Sequence, residues 1–265
     1  MIARVLIVAG SDSGGGAGMQ ADLKTIMALG GFGTNAVTAL TAQNTLGVQG
    51  VFPVPADFVR RQMESVLADI GTDAVKTGML GDTALIDTVA AVLADMRRPL
   101  VVDPVMVAKG GHVLLPPDAV QAMKTRLIPL ATLMTPNVPE AEVLLGAPIR
   151  DVRDQTEAAR ALLGLGAGAV LLKGGHLGGE TVTDVLASAD GVRRFSAPRI
   201  GTRHTHGTGC TLASAIAVSL AQGLMLEDAV IRARAYVLAA IEAAPGLGAG
   251  HGPLGHGAWV GGEPA

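Results

Sequence analysis

Short apolar runs rich in Val, Ile, Leu and Ala alternate along the chain with longer stretches of helical period, and that alternation leaves few folds open. Strands are predicted over 4–10 (RVLIVAG), 34–42 (TNAVTALTA), 74–80 (AVKTGML), 100–105 (LVVDPV), 132–136 (TLMTP) and 169–175 (AVLLKGG), each ending near glycine or polar residues. Helices are predicted over 55–70, 82–95, 117–128, 138–145, 154–165, 208–222 and 227–243. In the first of these, Phe58, Val59, Met63, Val66, Leu67 and Ile70 fall on one face, which is expected to be buried, with Arg60, Arg61 and Glu64 toward water. Residues 181–188 and 191–198 flank an Asp-Gly turn and read as a hairpin on a sheet edge. Together these imply an α/β fold with an open, mainly parallel central sheet and helices on both faces. No linker or internal repeat divides the chain, so residues 1–265 are expected to form a single domain. The Gly-rich tail, about 245–265, is expected to wrap the surface or fray.

In such sheets the ligand site lies at the carboxyl ends of the strands. Polar residues gather there: Asp12, Gln43, Asn44, Lys76, Asp103, Asn137, Glu140, Lys173 and His176.

Composition removes several functions. The formal net charge is -3 and aromatics make up 2%, which leaves neither a basic field for nucleic acid nor platforms on which bases stack. One cysteine, Cys210, cannot form an intrachain disulfide and points to a reducing compartment, the cytosol. The apolar run Val5–Gly10 is too short for a signal peptide and lacks a cleavage pattern. Residues 207–226 are uncharged, but Thr211, Ser214, Ser219, Gln222 and Gly223 dilute them, and a buried helix is expected rather than a membrane span.

Two glycine motifs carry the chemistry. The first, GSDSGGGAGMQADLKT from Gly10, follows a strand and precedes a helix, where exposed amides suit an anion or let a ligand come close. It is not a P-loop, because Lys24-Thr25 arrives six residues after the last glycine. Gly16-Ala17-Gly18-Met19-Gln20-Ala21 fits a dinucleotide fingerprint on paper, yet residues 23–56 contain no acid for a ribose. The second motif, HGTGCTLASA from His206, opens a long apolar helix whose first amides would form an anion hole. Two such helix starts, near opposite ends of the chain, suggest two ligands meeting for group transfer.

With these motifs stand TALTAQNTLGV, AVKTGML, VVDPVMVAKGG, TPNVPEAEVLLG, LLKGGH and GHGPLGH, and over almost its whole length the chain resembles the ribokinase-like superfamily. Within it, the resemblance is to the hydroxymethylpyrimidine/phosphomethylpyrimidine kinases of thiamin biosynthesis. It implies ATP-dependent phosphorylation, with Mg2+, of the hydroxymethyl of 4-amino-5-hydroxymethyl-2-methylpyrimidine and then of the monophosphate. It also implies a homodimer. By the same resemblance Gln43 hydrogen-bonds the aminopyrimidine, Met79 and Val105 wall the ring, and Asp22 places a carboxylate in that pocket. Asn137 and Glu140 form an N-x-x-E motif organising Mg2+ near the triphosphate, assisted by Asp103, and Lys173 meets nucleotide phosphates. Gly207, Thr208, Gly209 and Cys210 supply the anion hole, with Cys210 where sugar kinases carry an Asp base.

Plainer readings stand beside these. Cys210 fits a small buried hydrophobe; if it is a site residue, helix amides are expected to lower its pKa. Asn137 and Glu140 fit a helix N-cap and first-turn acid. Lys76 fits an ion pair as well as a functional role. His206 is expected to brace the anion loop, and His204 with His206 is too sparse for a metal site. Residues 109–118 read as a flap hinged at Gly110 and Gly111 or as an ordinary loop. The competing functions are a pyridoxal/pyridoxine kinase, a kinase of dual specificity, and a non-catalytic ligand-binding regulator.

Overall fold

The structure is a computed structural model, and it describes residues 1–106, 115–260 and 263–264. The expected flap falls largely outside them. In chain order the elements are β1 (Arg4–Ala9), α1 (Gly18–Ala28), β2 (Phe32–Val37), β3 (Ala39–Asn44), β4 (Gly47–Pro53), α2 (Ala56–Asp69), β5 (Ala74–Thr77), α3 (Thr83–Leu93) and β6 (Leu100–Val102). They continue with α4 (Pro117–Ala122), β7 (Leu133–Met134), α5 (Val138–Leu145), α6 (Val152–Leu163), β8 (Ala169–Leu172), β9 (Thr181–Ser188), β10 (Gly191–Pro198), α7 (Thr208–Ala221), α8 (Leu226–Glu242), β11 (Trp259–Val260) and β12 (Glu263–Pro264).

Among the described residues, eight strands form one sheet in the order β10-β9-β8-β7-β6-β5-β1-β2. It is parallel from β2 to β8, and β9 and β10 close one edge as an antiparallel hairpin. Successive side chains point to opposite faces, and the core divides accordingly. Leu6, Val8, Leu100, Val102, Val170 and Leu172 pack on the face covered by α2, α3, α5 and α6. Val5, Ile7, Val101, Ala169 and Leu171 pack on the face covered by α1, α7 and α8. Strands buried on both faces explain the unbroken apolar runs in the sequence.

The expected strand 34–42 is instead two. β2 runs beside β1 only as far as Val37 opposite Ala9, where β1 ends. At Thr38 the chain leaves the sheet; its amide donates to Ala9 O at 3.0 Å and its hydroxyl to Met79 O at 2.6 Å. With no neighbour left, β3 folds back on β4 as a separate antiparallel ribbon. β4 went unseen because its two glycines and a proline mask any alternation. α2 buries Val59 and Met63 as expected, but Phe58 and Ile70 are exposed, with the Arg61 guanidinium 5.0 Å over the Phe58 ring. Among the described residues no helix is long and apolar enough to cross a membrane.

Candidate active site

A cavity of about 860 Å³ opens along the carboxyl ends of β1, β5, β6 and β8, between the ribbon β3–β4 and the first turn of α7. Every element that the sequence places at this rim contributes to its lining.

The first glycine loop is organised by its own acid. Asp12 is buried, and its carboxylate accepts hydrogen bonds from the amides of Gly14 at 2.8 Å, Gly16 at 3.1 Å and Ala17 at 2.8 Å. His206 Nε2 donates to the same carboxylate at 2.8 Å. Burial pushes Asp12 upward, but the His206 hydrogen bond and the Ala17 and Gly14 amides together hold it below its ordinary value. These amides therefore hold an internal anion, and the first loop shapes a wall instead of binding phosphate. Gly10 supplies that wall's closest approach: a Cβ there would lie 2.4 Å from Met79 Cε.

The expected acceptor residues separate. Gln43, Met79 and Val105 all line the cavity, with the Gln43 amide nitrogen 3.3 Å from His206 Nε2. Asp22 does not line it. The residue is fully buried behind Lys76, whose Nζ donates to Asp22 Oδ1 and Oδ2 at 3.0 and 2.8 Å, while Ser214 Oγ donates to Oδ1 at 2.7 Å. An ion at the surface of the pocket would have kept water; this one gave it up for three hydrogen bonds from two donors. Lys76 takes the place at the wall.

The phosphate end is built on α5, β8 and α7. Asn137 and Glu140 form a reciprocal capping box, Asn137 Oδ1 accepting from Glu140 N at 2.9 Å and Glu140 Oε2 from Asn137 N at 2.7 Å. The plain reading of this pair is thus observed, and both residues also line the cavity. Burial raises Glu140 above its ordinary range, with Lys173 opposing. Lys173 Nζ donates to Asp103 Oδ1 at 2.9 Å, and a Cβ on Gly209 would stand 3.1 Å from that Nζ and 3.7 Å from Asp103 Oδ2. Lysine and aspartate therefore lie directly under the second glycine motif. α7 starts at Gly207 in a left-handed conformation, φ 84°, and among the described residues the amides of Gly209 and Cys210 make no hydrogen bond. Amides left unpaired at a helix start are what it offers an anion.

Cys210 corrects one expectation. Burial, the largest influence, pushes its thiol up to about 11, assisted by Asp22 and Asp103 and opposed by Lys76 and a hydrogen bond from the Gly18 amide. The helix start does not create a thiolate here.

One part of the site and one support behind it are not legible in the sequence. One is the far lobe, where Pro198, Ile200, Val237, Leu238 and Ile241 make an apolar wall beside the ion pair of Arg234 with Asp184. An Asp inside the apolar strand 181–188 and an Arg inside the apolar face of 227–243 were its only signals. The other is the tail. His251 N donates to Thr45 O at 2.9 Å, Gly252 O accepts from His206 N at 3.2 Å, and Tyr236 Oη donates to His256 O at 2.8 Å. Its glycines permit this approach: a Cβ on Gly250 would stand 2.0 Å from Thr45 O.

Comparison with known proteins gives the family and the fold. The phosphomethylpyrimidine kinase family matches residues 12–255. The chain belongs to that family. It is 56% identical over 253 residues to the thiamine biosynthesis bifunctional protein ThiED of Geobacter sulfurreducens, covering 95% of this chain and 52% of that protein, so it spans about half of that relative. It is 52% identical over 259 residues to the hydroxymethylpyrimidine/phosphomethylpyrimidine kinase of Streptomyces coelicolor, covering 98% and 96%. Among solved structures it is similar to an ADP complex of Bacillus subtilis pyridoxal kinase, with TM-score 0.90 and 38% identity, covering 97% and 98%. It is also similar to phosphomethylpyrimidine kinase from Clostridium difficile, with TM-score 0.79 and 41% identity, covering 89% and 98%. The fold of this phosphomethylpyrimidine kinase family member is ribokinase-like, and the family implies ATP as co-substrate.

Proposed function

We propose that the chain transfers the γ-phosphoryl group of ATP to the hydroxymethyl of 4-amino-5-hydroxymethyl-2-methylpyrimidine, and then a second one to the resulting monophosphate, in thiamin biosynthesis. The observation that carries this reading is one continuous cavity that joins a small amide-and-thioether pocket, Gln43 with Met79, to the unpaired amides of Gly209 and Cys210.

Gln43 presents an amide donor and acceptor to the ring, and Met79 and Val105 offer apolar walls. The amides of Gly207 to Cys210 and Lys173 face the phosphoryl group in flight, where fixed dipoles in a water-poor site stabilise the growing charge. The acceptor oxygen attacks the γ-phosphorus as the bond to ADP breaks. Burial holds the Cys210 thiol up at about 11, which makes it a poor base for the acceptor proton, and a loose transition state makes little demand for a base.

Mg2+ fits the donor set. Asp103 and Glu140 line the phosphate end, and among the described residues no group of three or more His, Cys, Asp or Glu side chains gathers into a cage. Two carboxylates with phosphate oxygens and waters suit this hard cation better than an all-protein site. When bound, it neutralises phosphate oxygens of the nucleotide. Incubation with Mg-ATP and the pyrimidine, followed by chromatography, should show monophosphate rising and then passing to diphosphate; unchanged pyrimidine would refute the reading.

A further inference from the structure

The proposed reaction uses two acceptors that differ in charge: a neutral alcohol first, and a phosphate monoester second. Four carboxylates, Asp12, Asp103, Glu140 and Asp184, already line the cavity. A second phosphate beside the triphosphate therefore needs fixed positive charge at the acceptor end.

Among the described residues, the permanent cations on the wall are Lys76, Lys173, Arg199 and Arg234. Three of them serve other parts of the cavity. Lys173 is bound to Asp103 under Gly209, and Arg234 pairs with Asp184 in the far lobe. Arg199 donates to the carbonyls of Gly175 at 3.0 Å and Gly179 at 2.8 Å, also away from the acceptor pocket. Lys76 remains. It rises from β5 among Gly10, Gly78 and Met79, and a Cβ on Gly78 would stand 3.0 Å from its Nζ.

Its ion pair is oriented. Both side chains are fully buried, with Asp22 behind, held by Ser214 of α7, and Lys76 alone of the two in the layer that lines the cavity, so the pair turns its positive end inward. Ser214 is four residues after Cys210 and shares its helix face, which puts the lysine under the first turn of α7, next to the anion hole. An ammonium has three hydrogens, and the two Asp22 oxygens account for at most two of them. Burial opposes its charge, but Asp22, with Asp103 adding, keeps its pKa above the ordinary lysine value.

We propose that Lys76 is the contact for the phosphate that the acceptor itself carries in the second transfer, and so the residue that selects the monophosphate as substrate. In that step an oxygen of the acceptor's phosphate forms the new bond to the γ-phosphorus, the bond from that phosphorus to ADP breaks, and ADP leaves with the electron pair. Lys76 holds the remaining acceptor-phosphate oxygens and exchanges no atom. This inference rests on the kinase reading above.

The test measures affinity for the hydroxymethylpyrimidine and for its monophosphate by calorimetry without nucleotide, and kcat/KM for each with Mg-ATP, on the full chain. Lys76→Met leaves Asp22 buried without a counter-charge, so the paired variant Asp22→Asn/Lys76→Met is measured beside it. The expected result is a loss of monophosphate affinity and second-step kcat/KM about 10- to 100-fold larger than the loss for the alcohol, partly recovered in Lys76→Arg. Equal losses for both acceptors would overturn the inference and leave Lys76 a packing element. Wild-type turnover of the alcohol without any of the monophosphate would overturn it too, while the first-step reading stands. If the wild type phosphorylates neither, the kinase reading fails and the inference falls with it.

Discussion

Gly207 rests its α-carbon on the carbonyl of Gly16. A Cβ at Gly207 would stand 1.8 Å from that oxygen, and its φ of 84° lies where other residues are strained. Two glycine motifs separated by most of the chain are thus one packed unit, and Cys210 joins it by accepting a hydrogen bond from Gly18. The acceptor wall and the anion hole cannot shift independently.

Gly207→Ala should therefore lower the unfolding free energy by about 2 kcal/mol or more, from left-handed strain plus overpacking, and displace the start of α7. Gly178→Ala, with open space around it, should change stability by less than about 1 kcal/mol. Urea unfolding of both variants checks this; equal stability would mean that the two loops are not in contact.

Much of this was legible in the sequence because one physical pattern served several purposes. Strands buried on both faces read as unbroken apolar runs, so Val5–Ala9 and Ala169–Leu172 were plain. Gln43, Met79, Val105, Asp103, Asn137, Glu140, Lys173 and the Gly207–Cys210 turn were named from motifs, and all of them line one cavity. What stayed hidden depends on contacts between distant residues. Nothing local tells that Asp12 fills its own glycine loop, or that Asp22 retreats behind Lys76. The Gly-rich tail looked formless because its glycines serve close approach to Thr45 and Ala243, which only the folded chain brings near.

Gln43→Ala should weaken binding of the pyrimidine by about 1 to 3 kcal/mol, since a buried ring nitrogen and amino group would lose their partners. Nucleotide affinity should hardly move, because Gln43 makes its hydrogen bonds with Ser13, with His206 beside its amide, and none with Lys173. Titration of each ligand separately decides it: equal losses for both would remove Gln43 from the acceptor pocket.

His256 gives the fold a pH dependence. Burial, with Lys24 adding and a Leu254 backbone bond opposing, pushes its pKa down to about 4, against about 6.5 in an unfolded chain. Above about 6.5 neither state holds the proton and the group has no effect. As pH falls from there toward 4, the unfolded chain takes up a proton that the folded one refuses, and stability drops by on the order of 3 kcal/mol before levelling. His256→Gln should lose that part of the slope in urea unfolding at pH 7 and pH 5. The same slope in variant and parent would contradict the burial of a neutral ring.

Cys210→Ala preserves the backbone amides and should keep at least about a tenth of kcat for the first phosphorylation, short of the roughly 10²- to 10⁴-fold loss of a general base. The thiol, held up at about 11, is too rarely ionised to serve at neutral pH. A thousandfold fall with binding and stability intact, restored by Cys210→Asp, would make it the base after all.

Glu140→Gln should lower turnover and raise the Mg2+ concentration needed for half-maximal rate, because the neutral amide no longer attracts the cation. Folding should survive, since an amide oxygen still accepts from Asn137 N in the capping box. An unchanged Mg2+ dependence with full activity would leave Glu140 as a cap alone.

The most direct test is kcat/KM with Mg-ATP for 4-amino-5-hydroxymethyl-2-methylpyrimidine, its monophosphate and pyridoxal, side by side on one preparation. Both pyrimidines should be turned over, each at least about tenfold more efficiently than pyridoxal, as a pocket built around the Gln43 amide would discriminate. Turnover of pyridoxal alone, or of none of the three, would contradict the assignment.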